Sequence, residues 1–143
     1  MGERLPVAAQ RCPMATKEAI FPKGGAPPAA PYSPGLRVGH LLFISGQVPI
    51  DPLTRNVERS DIRAATRIAL ANVVRVLESA GATFDDVVKV TIFLKDMADF
   101  AAVNEVYETH LGTVRPARSA VQISGLPLDS PIEIEAIAYL DDE

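Results

Sequence analysis

The chain is poor in the residues that most directly announce a function. Among its 143 residues there is one cysteine, Cys12, so no internal disulfide can form and no cysteine cluster can hold zinc. A single thiol fits a reducing compartment, and a cytoplasmic location is expected. Positive charge is also scarce and scattered: 14 Lys and Arg stand against 18 Asp and Glu, a formal charge of -4. Binding a phosphate backbone needs a basic stripe, so this balance argues against a nucleic-acid partner. Long apolar runs are missing as well. Leu5-Pro6-Val7-Ala8-Ala9, between Arg4 and Arg11, is too short and too broken by proline for a signal or membrane segment. Residues 1–15 are therefore expected to form a flexible extension, with organelle targeting left open, and residues 16–143 one domain. Gly24-Gly25 lacks a following Gly-Lys-Ser/Thr and a helical pattern, which excludes a phosphate-binding P-loop.

What remains is an ordinary globular composition, 48% apolar and 22% charged, in a chain long enough to bury roughly 70% of its unfolded surface. Ala19-Ile20-Phe21 reads as a short strand. Pro22 to Gly35, dense in proline and glycine, reads as an irregular loop whose restricted backbone holds Tyr32 in place. His40 to Val48 reads as a strand apolar on both faces up to Ser45-Gly46, where the glycine signals a bulge or the close approach of another group. Val57 opens a possible return strand. Ser60 is the expected cap of an amphipathic helix carrying Ile62, Ala65, Ala69, Val73, Val76 and Ala80, ended by Gly81, with Arg63, Arg67 and Arg75 on its solvated side. Val87 to Leu94 alternates as a strand, with Val88, Val90, Ile92 and Leu94 on one side. Asp96 caps a second helix marked by Phe100, Val103, Tyr107 and Leu111, and His110 near its end is expected to favour the helix dipole. Two further strands follow, one after Arg115-Pro116-Ala117-Arg118-Ser119 and one over Ile132 to Ala138.

This order predicts an α+β fold, one sheet with two helices on one face. Several strands are apolar on both sides and no third helix is available, so the second face is expected to be buried against copies of the same chain. In the last strand, period two sends Ile132, Ile134, Ala136 and Ala138 under the helices and Glu133, Glu135 and Ile137 to that second face. Half-buried carboxylates need cationic or hydrogen-bonding partners, and an arginine on a neighbouring strand would serve. From these facts alone, an interface ion pair and a reactive site are equally open.

Six segments, in order, carry a resemblance. Pro31-Tyr32-Ser33, Ile44-Ser45-Gly46-Gln47-Val48, Val88-Lys89-Val90-Thr91, Asp99-Phe100 with Val103-Asn104, Pro116-Ala117-Arg118-Ser119 and Ile132-Glu133-Ile134-Glu135-Ala136 resemble the successive signatures of the Rid (YjgF/UK114) family. The resemblance implies a chorismate-mutase-like single mixed sheet, assembled as a homotrimer with clefts between subunits. It implies a hydrolytic deaminase that converts reactive 2-imino acids to 2-oxo acids and ammonia, with no cofactor and no metal. By the same resemblance Arg118 binds the substrate carboxylate and Glu133 activates water, while Tyr32, Ser45, Gly46 and Asn104 line the cleft and Glu135 is structural. Ala120 stands where many relatives carry cysteine, leaving its backbone carbonyl to orient water. Arg115, Ala30 and Pro34 also depart from the family pattern beside the cleft. Hydrolysis of another imine or enamine, an RNA-directed role and a non-catalytic ligand-binding role are the alternatives, the RNA role disfavoured by the charge.

Overall fold

The computed structural model describes residues 16–24 and 28–141. The expected extension at 1–15, with Cys12, lies outside the described residues, as do Gly25, Ala26 and Pro27 of the proline-rich loop.

Alternating apolar positions generate six strands: β1 (Lys17–Ile20), β2 (Gly35–Val38), β3 (Leu41–Gln47), β4 (Val87–Leu94), β5 (Ala117–Gln122) and β6 (Ile132–Tyr139). They form one sheet in the order β1-β2-β3-β6-β4-β5, antiparallel throughout except for the parallel pair β4/β5. A parallel neighbour requires a crossover, which the second helix, α2 (Phe100–Glu108), supplies. The first helix, α1 (Ile62–Ser79), packs with α2 on the same face of the sheet. The α+β single mixed sheet with two helices is thus the observed architecture.

The core lies between that face and the helices. Ala65, Ala69, Leu70, Val73, Val76 and Leu77 of α1 are buried against Ile132, Ile134, Ala136 and Ala138 of β6 and their neighbours on β3 and β4. Each fully buried Leu, Ile or Val contributes about 1.5–3 kcal/mol through removal of apolar surface from water. The opposite face carries Leu41, Phe43, Val121 and Tyr139, which are 39% to 46% exposed, and no described helix covers it. None of the described helices is long and apolar enough to cross a membrane.

Several elements differ from the sequence expectation, each for a local reason. The cap of α1 is Asp61, whose Oδ1 accepts from the backbone N–H groups of Arg63 (3.0 Å) and Ala64 (3.2 Å). Ser60 is diverted, its hydroxyl donating to the Glu58 carboxylate at 2.8 Å. Gly81 does end the helix, in the left-handed region at φ 75°. Asp96 caps a 3-10 turn over Met97–Asp99, so α2 begins only at Phe100. Strand β2 is not among the expected elements: its first residue, Gly35, closes the expected loop, and no element is expected over Leu36 to Val38. In β4 a register shift between Val87 and Lys89 makes Val87 the buried residue and leaves Val88 exposed, the reverse of simple alternation. Val57 makes only an isolated bridge with Ile50. His110 lies beyond the helix end, half-buried against the Phe84 ring at 5.6 Å, and burial lowers its pKa, which disfavours the charged dipole partner expected there.

The capping assignment is testable by chemical denaturation. Asp61→Ala is expected to cost about 1 kcal/mol, and Ser60→Ala less than about 0.5 kcal/mol.

Candidate functional site

The site is built around an interruption of β3. Pairing runs from Ile44 opposite Ala136 to Gln47 opposite Ile134, so β3 holds one residue too many across Ser45-Gly46 and bulges there. At this point β6 presents Glu133. A Cβ built on Gly46 would lie 2.6 Å from the Glu133 Cδ, so only glycine lets the carboxylate lie across the bulge. Both readings of that glycine hold at once: it marks a bulge and a close approach.

Ser45 fastens the proline-rich segment to the bulge. Its N–H donates to the Pro34 carbonyl at 2.9 Å and its hydroxyl to the Ser33 carbonyl at 2.6 Å. With its N–H bonded to the Ala30 carbonyl at 2.9 Å, Tyr32 stands at the edge of a cavity of about 590 Å³. Tyr32, Ser45, Gly46 and Glu133 all line it, together with Pro34, Val48 and Ile50. Its lip includes Pro127 and Leu128. The left-handed turn at Leu128 is held by Arg59, which donates to the Leu128 carbonyl from Nε (2.9 Å) and Nη2 (2.7 Å).

Glu133 has the electrostatics of a proton acceptor. Burial raises its pKa above the ordinary 4.5, and the negative charge of Glu135, two residues along the same face, raises it further. A carboxylate so placed binds a proton more readily than one in water.

Arg118 belongs to a second cluster. On β5 it lies opposite Val90 of β4, which in turn faces Ala136 of β6, all three on the helix-covered face. Glu133 falls in the row with Phe93 and Val121, on the open face. The two residues therefore point to opposite sides of the sheet, and the neighbouring-strand pairing expected for the glutamates does not occur within one chain. The Arg118 guanidinium lies 5.5 Å from the Phe100 ring centroid and 5.0 Å from that of Tyr107, and Nη1 donates to Asn104 Oδ1 at 2.7 Å. It makes no ion pair with any described carboxylate. Burial raises the Tyr107 phenol pKa, opposed in part by the Arg118 charge, so the phenol stays neutral beneath the cation. Ala120, two residues on, packs partly buried against the core.

The expected site residues thus fall into two halves: Tyr32, Ser45, Gly46 and Glu133 at the cavity, and Arg118 with Asn104 at the sheet edge, Ala120 beside them. Arg55, Asn72 and Arg75 also line the cavity and were not among the expected residues. Arg75 reads from helical spacing as solvated; its one signal is its position three residues after Asn72 on the same helix. Among the described residues no group of three or more His, Cys, Asp or Glu is gathered to hold a metal ion.

Comparison with known proteins follows the same lines. The family model described as Endoribonuclease L-PSP matches residues 24–140. A RutC family protein of Pyrococcus horikoshii is 51% identical over 123 residues, covering 86% of this chain and 98% of its own. The 2-iminobutanoate/2-iminopropanoate deaminase of Escherichia coli is 46% identical over 116 residues, covering 78% of this chain and 90% of its own. The crystal structure of Escherichia coli TdcF with bound serine matches with a TM-score of 0.82 at 36% identity, covering 87% of this chain and 99% of that one.

Because the folded state holds the Glu133 proton more tightly than the unfolded chain, its contribution to stability is present at low pH and is lost as pH rises through the raised folded value. Glu133→Gln is expected to raise the denaturation midpoint at pH 8 relative to the native chain and to bring no such gain at pH 4. Carboxyl NMR titration of Glu135→Gln should show the Glu133 pKa moved down; an unmoved value would remove Glu135 as a cause.

Proposed function

The chain belongs to the endoribonuclease L-PSP family, the family of YjgF and RidA, and on that premise we propose that it is a hydrolytic deaminase of 2-imino acids. Its substrates in this reading include 2-iminobutanoate and 2-iminopropanoate, converted to 2-oxo acids and ammonia without a cofactor. The observation that carries the reading is the Glu133 carboxylate, half-buried across Gly46 on a cavity open to solvent, with its proton affinity raised.

The second half of the chemistry comes from another copy. Arg118 and Glu133 diverge within one chain, so a cleft holding both forms only where the β5 edge of one copy meets the bulge of the next. A closed ring of three such contacts, the chorismate-mutase-like trimer, would also bury the apolar face bearing Leu41, Phe43, Val121 and Tyr139. Arg118 is prepared for this role. Phe100 and Tyr107 hold its plane, Asn104 takes one N–H, and the rest of the fork is left for a carboxylate gripped through parallel charge-assisted bonds.

With the substrate carboxylate fixed, the imine carbon is already electrophilic and the protein need only orient water and move protons. Glu133 accepts a proton as water oxygen bonds to the imine carbon, giving a tetrahedral carbinolamine. It passes that proton and then the carbinolamine hydroxyl proton to nitrogen, the C–N bond breaks, ammonia leaves as the carbonyl forms, and Glu133 is again a carboxylate. Tyr32 closes one wall, and the Ala120 carbonyl, on the same copy as Arg118, helps to orient the water.

A coupled assay that generates the imine from threonine tests the proposal. Arg118→Ala is expected to lower kcat/KM about 100-fold, with Arg118→Lys intermediate. Glu133→Gln should lower kcat by about 10² or more while the protein remains folded; an unchanged rate would remove Glu133 from the mechanism. Gly46→Ala displaces the Glu133 side chain from Cγ outward and should cut turnover with little loss of stability. Sedimentation at micromolar concentration should give a trimer, and a monomer alone would overturn the shared cleft.

A further inference from the structure

The cavity that Glu133 lines also carries two cations that the hydrolysis of small neutral imines does not use. Arg55 and Arg75 both line it, among walls otherwise formed mostly by proline, alanine and aliphatic side chains. Among the described residues Glu133 is the only acidic one on that lining.

Arg75 is held in place by a bracket. Asn72 donates both its amide hydrogens, to the carbonyls of Val48 (3.1 Å) and Ile50 (2.9 Å), and so is fixed to the chain leaving β3. Its remaining polar atom, Oδ1, accepts from Arg75 Nη1 at 2.6 Å. A guanidinium has five N–H donors, so one bond orients it and the others stay available. The Arg75 charge is felt by Asp51, whose pKa it helps to lower, but the two make no ion pair. Asp51 Oδ1 is engaged by the backbone N–H groups of Leu53 (2.8 Å) and Thr54 (3.2 Å), which close its own turn. Neither arginine makes an ion pair with a described carboxylate.

Arg55 occupies a position that favours glycine. Its φ is 65°, fixed by a turn in which its N–H donates to the Asp51 carbonyl at 2.8 Å. A long side chain in the left-handed region carries backbone strain that glycine would avoid. The Arg55 guanidinium, moreover, makes no hydrogen bond with any described residue, so nothing within the turn accounts for the arginine.

We propose that the cavity selects 2-imino acids whose side chain ends in a second carboxylate, with Arg55 and Arg75 as the receptor for that group. This rests on the deaminase reading above. The α-carboxylate and imine engage Arg118 of the neighbouring copy and Glu133, and the side chain runs toward the arginine pair, in a volume of about 590 Å³ that accommodates a five-carbon diacid. The substrate class is the imines of acidic amino acids, 2-iminosuccinate and 2-iminoglutarate. Apolar walls strengthen the attraction of two cations for an anion, whereas an alkyl side chain gains nothing from them.

The test has a binding arm and a kinetic arm, each comparing the native chain with the double variant Arg55→Gln/Arg75→Gln. In calorimetric titration at low salt, 2-oxoglutarate should bind the native chain about tenfold or more tightly than 2-oxopentanoate, and the preference should fall to about twofold or less in the variant. Equal binding by the native chain, or a preference kept by the variant, overturns the receptor. In the kinetic arm, imines are generated in place from glutamate and from norvaline by an amino acid oxidase. The ratio of kcat/KM for the acidic over the neutral imine should fall about tenfold in the variant, and a ratio cancels any difference in folded fraction. Turnover of both imines with an unaltered ratio sinks the receptor and leaves the deaminase. A diacid preference abolished in the variant without turnover of either imine sinks the deaminase and leaves the receptor.

Discussion

A β-strand turns successive side chains to opposite faces, and this alternation, imposed on β5 and β6 of one sheet, sets Arg118 and Glu133 back to back. Everything distinctive about the site follows from it. The cation is raised toward α2, where two aromatic rings and an amide can hold it, and the carboxylate is turned toward the bulge and the cavity. A one-residue change of register in either strand would exchange the faces and destroy both environments together.

The two helices stabilise this arrangement without touching the carboxylate. They bury one face of the sheet so completely that the row Ile132, Ile134, Ala136 and Ala138 cannot rotate outward, and the intervening Glu133 and Glu135 are forced to the other side. Gly46 then decides what Glu133 can do. With no Cβ in the way, the carboxylate lies across the backbone, loses water on that side and gains proton affinity.

How much of this is legible in the amino-acid order depends on whether the signal is periodic or single. The face of Glu133, the apolar stripe of α1 and the dual meaning of Gly46 are readable because each rests on spacing or on the absence of a side chain. Strand β2 is hidden because Gly35 closes a proline-rich stretch and only Leu36 to Val38 follow before another glycine. The exchange of Val87 and Val88 is hidden because a bulge in a run of valines leaves no chemical mark. Asp61 displaces Ser60 as the cap through a competing bond to Glu58, which spacing cannot reveal. Arg55 and Arg75 are masked by the ordinary meaning of arginine in a turn or on a helix surface. The six family segments carry the resemblance in residue order, but they do not say that Arg118 and Glu133 diverge.

A cleft divided between copies, as proposed above, would have a genetic consequence. If each reactive centre draws its cation from one polypeptide and its carboxylate from another, two alleles that are individually inactive, one lacking Arg118 and the other lacking Glu133, can assemble into mixed rings in which some clefts contain neither lesion. The two alleles would then complement each other where a site confined to one polypeptide would give no complementation, and the inheritance pattern would follow from which face of a strand an arginine occupies.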